Sequence, residues 1–136
     1  MTAIERLSVH YRFSGPALDV DALLAAATPA GAHESWRRGD PLDGGQRART
    51  SGVQVEIGDF EDAGEAVDAI EGFLDNEAPF LAAAARAAGD ETLSALAIAL
   101  WVYEDESAGI GLAPELLQRL SRAGIAVEVT GFPRAD

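Results

Sequence analysis

A chain of 136 residues with 48 % apolar and 24 % charged side chains is long enough to bury one core and too apolar to be intrinsically disordered. It has no cysteine, which excludes disulfides, thiolate nucleophiles and cysteine-based zinc sites. Its formal net charge of −13 repels phosphate backbones, so nucleic-acid partners are disfavoured and a basic protein is the complementary partner.

No apolar run approaches the ~20 residues of a membrane helix, and the first residues lack a basic stretch followed by an apolar one. The expectation is a cytoplasmic protein with no membrane partner. All ten cations are Arg. Between Thr50 and Ala85 stand nine acids (Glu56, Asp59, Glu61, Asp62, Glu65, Asp68, Glu71, Asp75, Glu77) and no Arg. From Trp36 to Arg49 the balance reverses, with Arg37, Arg38, Arg47 and Arg49 against Asp40 and Asp43.

In chain order, "LSVHYRFSG" alternates Leu7, Val9, Tyr11, Phe13 with Ser8, His10, Arg12, Ser14, the period-two signature of a strand with one apolar face. "ALDVDALLAAATPAG" reads as a helix capped by Asp19 and stopped by Pro29 and Gly31. Residues 31–48 show neither period and carry Gly31, Gly39, Gly44, Gly45 and Pro41, which predicts a long loop. "SGVQVEIGD" resumes alternation with Val53, Val55 and Ile57. A helix capped by Asp59 follows, its stripe Val67, Ile70, Phe73, Leu74 spaced by three and four. Pro79 restarts it, since proline suits a first turn, and Gly89 ends it. "LSALAIALWVYED" is apolar on both faces, as an internal strand is. "LAPELLQRLSRAG" is a helix between Pro114 and Gly124, and "IAVEVTG" a last strand.

These elements predict a single α+β domain over 1–136. A strand-helix-strand unit (4–57), a helical insertion (59–89) and a second strand-helix-strand unit (93–131) compose it. The two halves echo one another, which suggests a four-stranded ferredoxin-like sheet with helices mainly on one face and the helical pair inserted between the halves.

"LDVDALLAAATPAGAHESWRRGDP", then "RARTSG", then "VYEDESAGIGLAPELLQRLSRAGIAVEV" together resemble the family called domain of unknown function 4279, over about Leu7 to Val129. The most specific pieces are Trp36-Arg37-Arg38-Gly39-Asp40 and the Gly111–Leu117 entry into the last helix. Val53 stands where the family pattern tends to have Trp, and Ala113 where it favours a capping Ser. The family carries no established activity, so the resemblance implies architecture and no mechanism.

Catalytic groups are scarce. His10 and His33 are the two histidines, and no Gly-x-Ser-x-Gly elbow accompanies them. "GGQRARTSG" lacks the Gly-Lys-Ser/Thr ending of a phosphate loop and leads into a strand. Glu104, Asp105 and Glu106 lack the ligand spacing of a calcium loop and read as a solvated acidic turn. No catalytic residue, metal site or cofactor is assigned, and the chain is read as non-enzymatic.

Two recognition surfaces are expected. In the 31–48 loop, Trp36 anchors the segment and Arg37 or Arg38 pairs with nearby carboxylates; Trp36, Arg37, Arg38, Asp40, Arg47 and Arg49 are the candidate binding residues. On the sheet face away from the helices, a ferredoxin-like order brings His10, Arg12, Trp101 and Tyr103 together. A protein partner, a second copy of the chain or the chain's own loop could cover that face. The leading expectation is a protein-binding domain, of immunity or inhibitor type, whose acidic helix (59–77) masks a basic partner. The alternative is a small-molecule or anion-binding module built on the Arg-rich 36–49 loop.

Overall fold

The structure is a computed structural model that describes residues 4–103 and 109–134. Its strands are β1 (Ile4–Gly15), β2 (His33–Trp36), β3 (Ser51–Phe60), β4 (Leu93–Tyr103) and β5 (Ala126–Arg134). Its helices are α1 (Val20–Ala26), α2 (Ala63–Asn76), α3 (Ala78–Ala87) and α4 (Pro114–Arg122). The sheet is mixed, in the order β2-β3-β1-β4-β5. Among the described residues no helix is long and apolar enough to cross a membrane. The acidic turn expected at Glu104–Glu106 lies outside the described residues, as does the side chain of Tyr103.

The α+β reading holds, but the four-stranded ferredoxin-like sheet does not. A fifth strand, β2, lies where a loop was expected. Its sequence, His-Glu-Ser-Trp, has no apolar alternation because it pairs on one side only, as a four-residue edge strand, with His33, Glu34 and Ser35 exposed. Strand direction also differs. β1 is antiparallel to both β3 and β4, and β4 is parallel to β5, its direct neighbour. Side-chain periodicity identifies strands but carries no information on partner or direction.

The predicted inward set of β1, Leu7, Val9, Tyr11 and Phe13, is fully buried. It meets Val53 and Val55 of β3, Leu96 and Ile98 of β4, Ile70 and Phe73 of α2, Phe80 of α3, and Leu116 and Leu120 of α4 in one core. All four helices thus contribute apolar side chains to one side of the sheet. Burial of such side chains contributes about 1.5–3 kcal/mol each. The alternation of β3 is interrupted, since Val9 faces Gly58 while His10 faces Glu56. Ile57 is the extra residue of that bulge, so the inward set runs Val53, Val55, then Phe60 opposite Leu7.

Helix starts follow capping chemistry. Asp19 accepts from Ala22 N at 3.0 Å, as expected. The cap of α2 is Asp62 and not Asp59: Asp62 accepts from Glu65 N at 3.1 Å, while Asp59 is still within β3. Pro79 sits in the first turn of α3, and Pro114 in that of α4, whose N-cap Ala113 supplies no side-chain bond. Gly124 closes α4 with φ +71, a conformation that favours glycine.

Two buried polar groups are built into this frame. Glu77, at the α2–α3 junction and only 5 % exposed, accepts from Ala30 N at 2.8 Å and Gly31 N at 3.0 Å, one with each carboxylate oxygen. It ties the helical pair to the segment that enters β2. The Tyr11 and Ser94 hydroxyls share a 2.7 Å hydrogen bond at the edge of the core, where Tyr11 is buried and Ser94 half-buried. Burial pushes the Tyr11 phenol from 10.0 up to about 12, against a smaller downward effect of the Ser94 bond.

Two outcomes follow from these groups. Glu77→Ala leaves two backbone N–H groups without their acceptors and lowers stability by about 2 kcal/mol, read as a shifted urea midpoint. For Tyr11 the raised folded-state value means that stability is fully present below pH 10.0 and falls as pH rises towards about 12, because only the unfolded chain ionises in that window. The associated loss is about 2–3 kcal/mol, and Tyr11→Phe removes that alkaline slope.

Candidate functional site

The face of the sheet away from the helices follows from the register. It carries Trp36 from β2, Gly52 and Gln54 from β3, Arg6, Ser8, His10 and Arg12 from β1, Ala95, Ala97, Ala99 and Trp101 from β4, and Glu128, Thr130 and Phe132 from β5. Ala95, Ala97 and Ala99 keep the β4 part of this face low. Two aromatic groups rise from it at opposite corners.

The first corner is built on a glycine. Trp36 lies opposite Gly52, and a Cβ there would stand 2.5 Å from Cζ2 of Trp36 and 2.7 Å from the Phe13 carbonyl oxygen. Gly52 therefore leaves room for the indole to approach the sheet closely. Trp36 Nε1 donates to Thr50 Oγ1 at 3.3 Å. The Arg12 guanidinium carbon sits 4.8 Å from the centre of the indole, a cation–π contact of about 0.5–1 kcal/mol at an exposed site. The cation over Trp36 is thus Arg12, from two strands away, and neither of its sequence neighbours.

Those neighbours hold the loop. Arg37 pairs with Asp21 through Nη2–Oδ1 and, at 3.2 Å, Nε–Oδ2, and its backbone N–H donates to Asp40 at 2.8 Å. The hydrogen bond from Arg37 holds the Asp21 carboxyl below its ordinary value and raises Arg37 in turn. Arg38 donates through its backbone to Ser51 Oγ at 2.8 Å and through Nη1 to the Pro16 carbonyl at 3.4 Å. Arg47 Nη1 donates to the Gly39 carbonyl at 2.9 Å. Backbone bonds Gly39 N–Ala48 O, Ala48 N–Asp40 O and Leu42 N–Gln46 O fold residues 37–50 into a small hairpin-like arm with positive φ at Gly39, Gly44 and Gly45. Arg49 is exposed. The expected long loop is therefore a self-bonded arm, and Arg37, Arg38 and Arg47 each hold part of it.

The second corner joins the remaining indole to partners that periodicity did not indicate. Trp101 stacks on Phe132 of β5, with centroids 5.2 Å apart and planes at 19°. The Arg6 guanidinium carbon lies 4.5 Å from the Trp101 ring centre, and Arg6 reaches Asp59 at 3.9 Å. The expected grouping of Trp101 with His10 and Arg12 is not formed. Antiparallel pairing sets Arg6 opposite Trp101, His10 opposite Ala97 and Arg12 opposite Ala95. Four and six residues along β1 amount to about 13 and 20 Å. A parallel neighbour would have brought Arg12 towards Trp101; strand direction decided otherwise. The backbone of Tyr103 pairs with Arg134 at the end of β5.

The two corners stand level with Ser14 and Arg6 of β1, so about 26 Å separates them along the strand. His33 is exposed, with Nδ1 2.9 Å from the Gly31 carbonyl oxygen. Among the described residues no group of three or more His, Asp or Glu is arranged to hold a metal ion. Of the groups at the two corners, Gly52, Phe132 and Arg6 were not expected from the sequence. Gly52 alone left a signal, as a glycine inside an alternating strand marks a close approach. Comparison with protein-family models, with curated proteins and with solved structures gives no match.

Gly52→Ala has no space on either side, and the Phe13 carbonyl cannot yield. The substitution is expected to destabilise by about 1–3 kcal/mol. In a Trp101→Phe background it also shifts the Trp36 fluorescence to the red as the indole leaves the sheet.

Proposed function

We propose that this chain is a non-enzymatic recognition domain that binds a basic protein through the open face of its sheet. The observation that carries the reading is the pair of corner aromatics, Trp36 under Arg12 and Trp101 with Phe132 under Arg6, on the uncovered face of the sheet. Trp and Arg are the residues most enriched at binding hot spots, and Phe132 is 42 % exposed although it is large and apolar. The net charge of −13, to which five exposed acids on and before α2 contribute (Glu61, Asp62, Glu65, Asp68, Glu71), would steer a cationic partner at long range. Inhibitor or immunity-type masking of a basic protein is the form this takes, in the cytoplasm. The kinship with domain of unknown function 4279 is likewise our proposal, and it adds no activity.

Engagement of Arg37 by Asp21, of Arg38 by the Pro16 carbonyl and of Arg47 by the Gly39 carbonyl favours the protein reading over an anion clamp built from the same side chains. The test is affinity capture from cells that express the chain, followed by binding measurements on the captured protein. Trp36→Ala with Trp101→Ala is expected to weaken binding by about 30-fold or more, the scale of a lost hot spot. The association rate is expected to fall steeply with added salt. A partner retained equally by the double variant, or one whose association ignores salt, would refute the proposal. Self-association of the chain that the double variant abolishes would replace the basic protein with a second copy.

A further inference from the structure

On the other side of the sheet, α3 and α4 do not close against one another above the Tyr11–Ser94 pair. They leave a cleft of ≈ 270 Å³ whose lining includes Tyr11, Ser94, Leu81, Ala85, Ala88 and Arg122. We propose that this cleft is a binding site for a short aliphatic carboxylate.

Three features select that class. The floor is a pair of hydroxyls joined by one hydrogen bond. Two hydroxyls carry two protons, and that bond uses one. Among the described residues neither hydroxyl makes a further side-chain hydrogen bond, so the pair can donate its second proton to an oxygen entering the cleft. The walls are apolar, and they are open because α3 presents alanines where larger side chains would fill the space; Ala85 and Ala88 are solvent-exposed. Arg122 lines the same cleft, and its guanidinium is in no ion pair among the described residues. An acceptor-rich, negatively charged head with a short apolar tail meets all three.

Size restricts the ligand further. Pockets for drug-sized molecules span about 300–1,000 Å³, so a cleft of ≈ 270 Å³ suits a chain of a few carbons. The C-terminus of α4 borders the cleft and its free carbonyls would oppose an anion. Here those carbonyls are engaged: Arg119 O, Leu120 O and Ser121 O accept from Ala123, Ile125 and Gly124.

Hexanoate and its neutral analogue hexanamide, titrated into the full chain and followed by amide NMR, test the site. Hexanoate is expected to give saturable shifts confined to α3, Ser94 and the Arg122–Gly124 turn, and to bind about tenfold more tightly than hexanamide, the scale of one charge-assisted hydrogen bond. Ala85→Leu, on an exposed helix position where folding is retained, fills the cleft and should abolish the shifts. Arg122→Gln should weaken hexanoate about tenfold and leave hexanamide unchanged. Absence of saturable shifts with either probe, binding that survives Ala85→Leu, or equal affinity for the two probes would overturn the proposal.

Discussion

The structure hangs on β1 and on the direction of its two neighbours. Its inward side chains Leu7, Val9, Tyr11 and Phe13 are all buried, and both its edges are paired, to β3 and to β4, antiparallel in each case. An antiparallel neighbour sets the start of one strand against the end of the other. Arg6 is thereby placed beside Trp101, and Ser14 beside Gly52 and, one strand further, Trp36. The separation of the two aromatic corners follows from this pairing and from no local preference of the residues that form them.

Around that strand, long-range polar contacts hold the irregular parts. Glu77 binds the backbone of Ala30 and Gly31 across 47 and 46 residues of sequence and so couples the helical pair to the edge of the sheet. Arg37 reaches back to Asp21 at the start of α1, and Arg38 to the Pro16 carbonyl and Ser51. The exposed pair Arg37–Asp21 adds little by itself, as surface ion pairs do. Together with the backbone bonds of residues 37–50, these contacts give an arm rich in glycine one shape. Trp36 then lies in one place, on Gly52.

The two faces of the sheet divide the chemistry. On the open side, aromatic rings topped by guanidinium groups offer apolar area and hydrogen-bond donors to a large partner. On the helix side, small residues of α3 leave room above two hydroxyls that the core would otherwise have no reason to include. A buried hydroxyl is costly unless bonded, and the Tyr11–Ser94 pair meets that requirement with one proton left over. Phe in place of Tyr11 would have been the simpler packing solution.

The sequence by itself determined the long strands β1, β3, β4 and β5, the four helices, the cap at Asp19, the first-turn prolines Pro79 and Pro114, the closing Gly124, and the buried set of β1. Each is written in period, in turn chemistry or in both, because side chains alternating about a strand or repeating along a helix need only local geometry to be read. Trp36 was legible as an anchor, since a lone indole beside charged residues and glycines gains by lying against a surface. Tertiary structure alone decided the fifth strand, the antiparallel direction of β4 against β1, the Ile57 bulge, the pairing of Arg12 with Trp36 and of Arg6 with Trp101, and the buried acceptor Glu77. Those depend on which strands meet and in which sense. Period-two alternation is identical for a strand read in either direction, so no local pattern could have contained the answer.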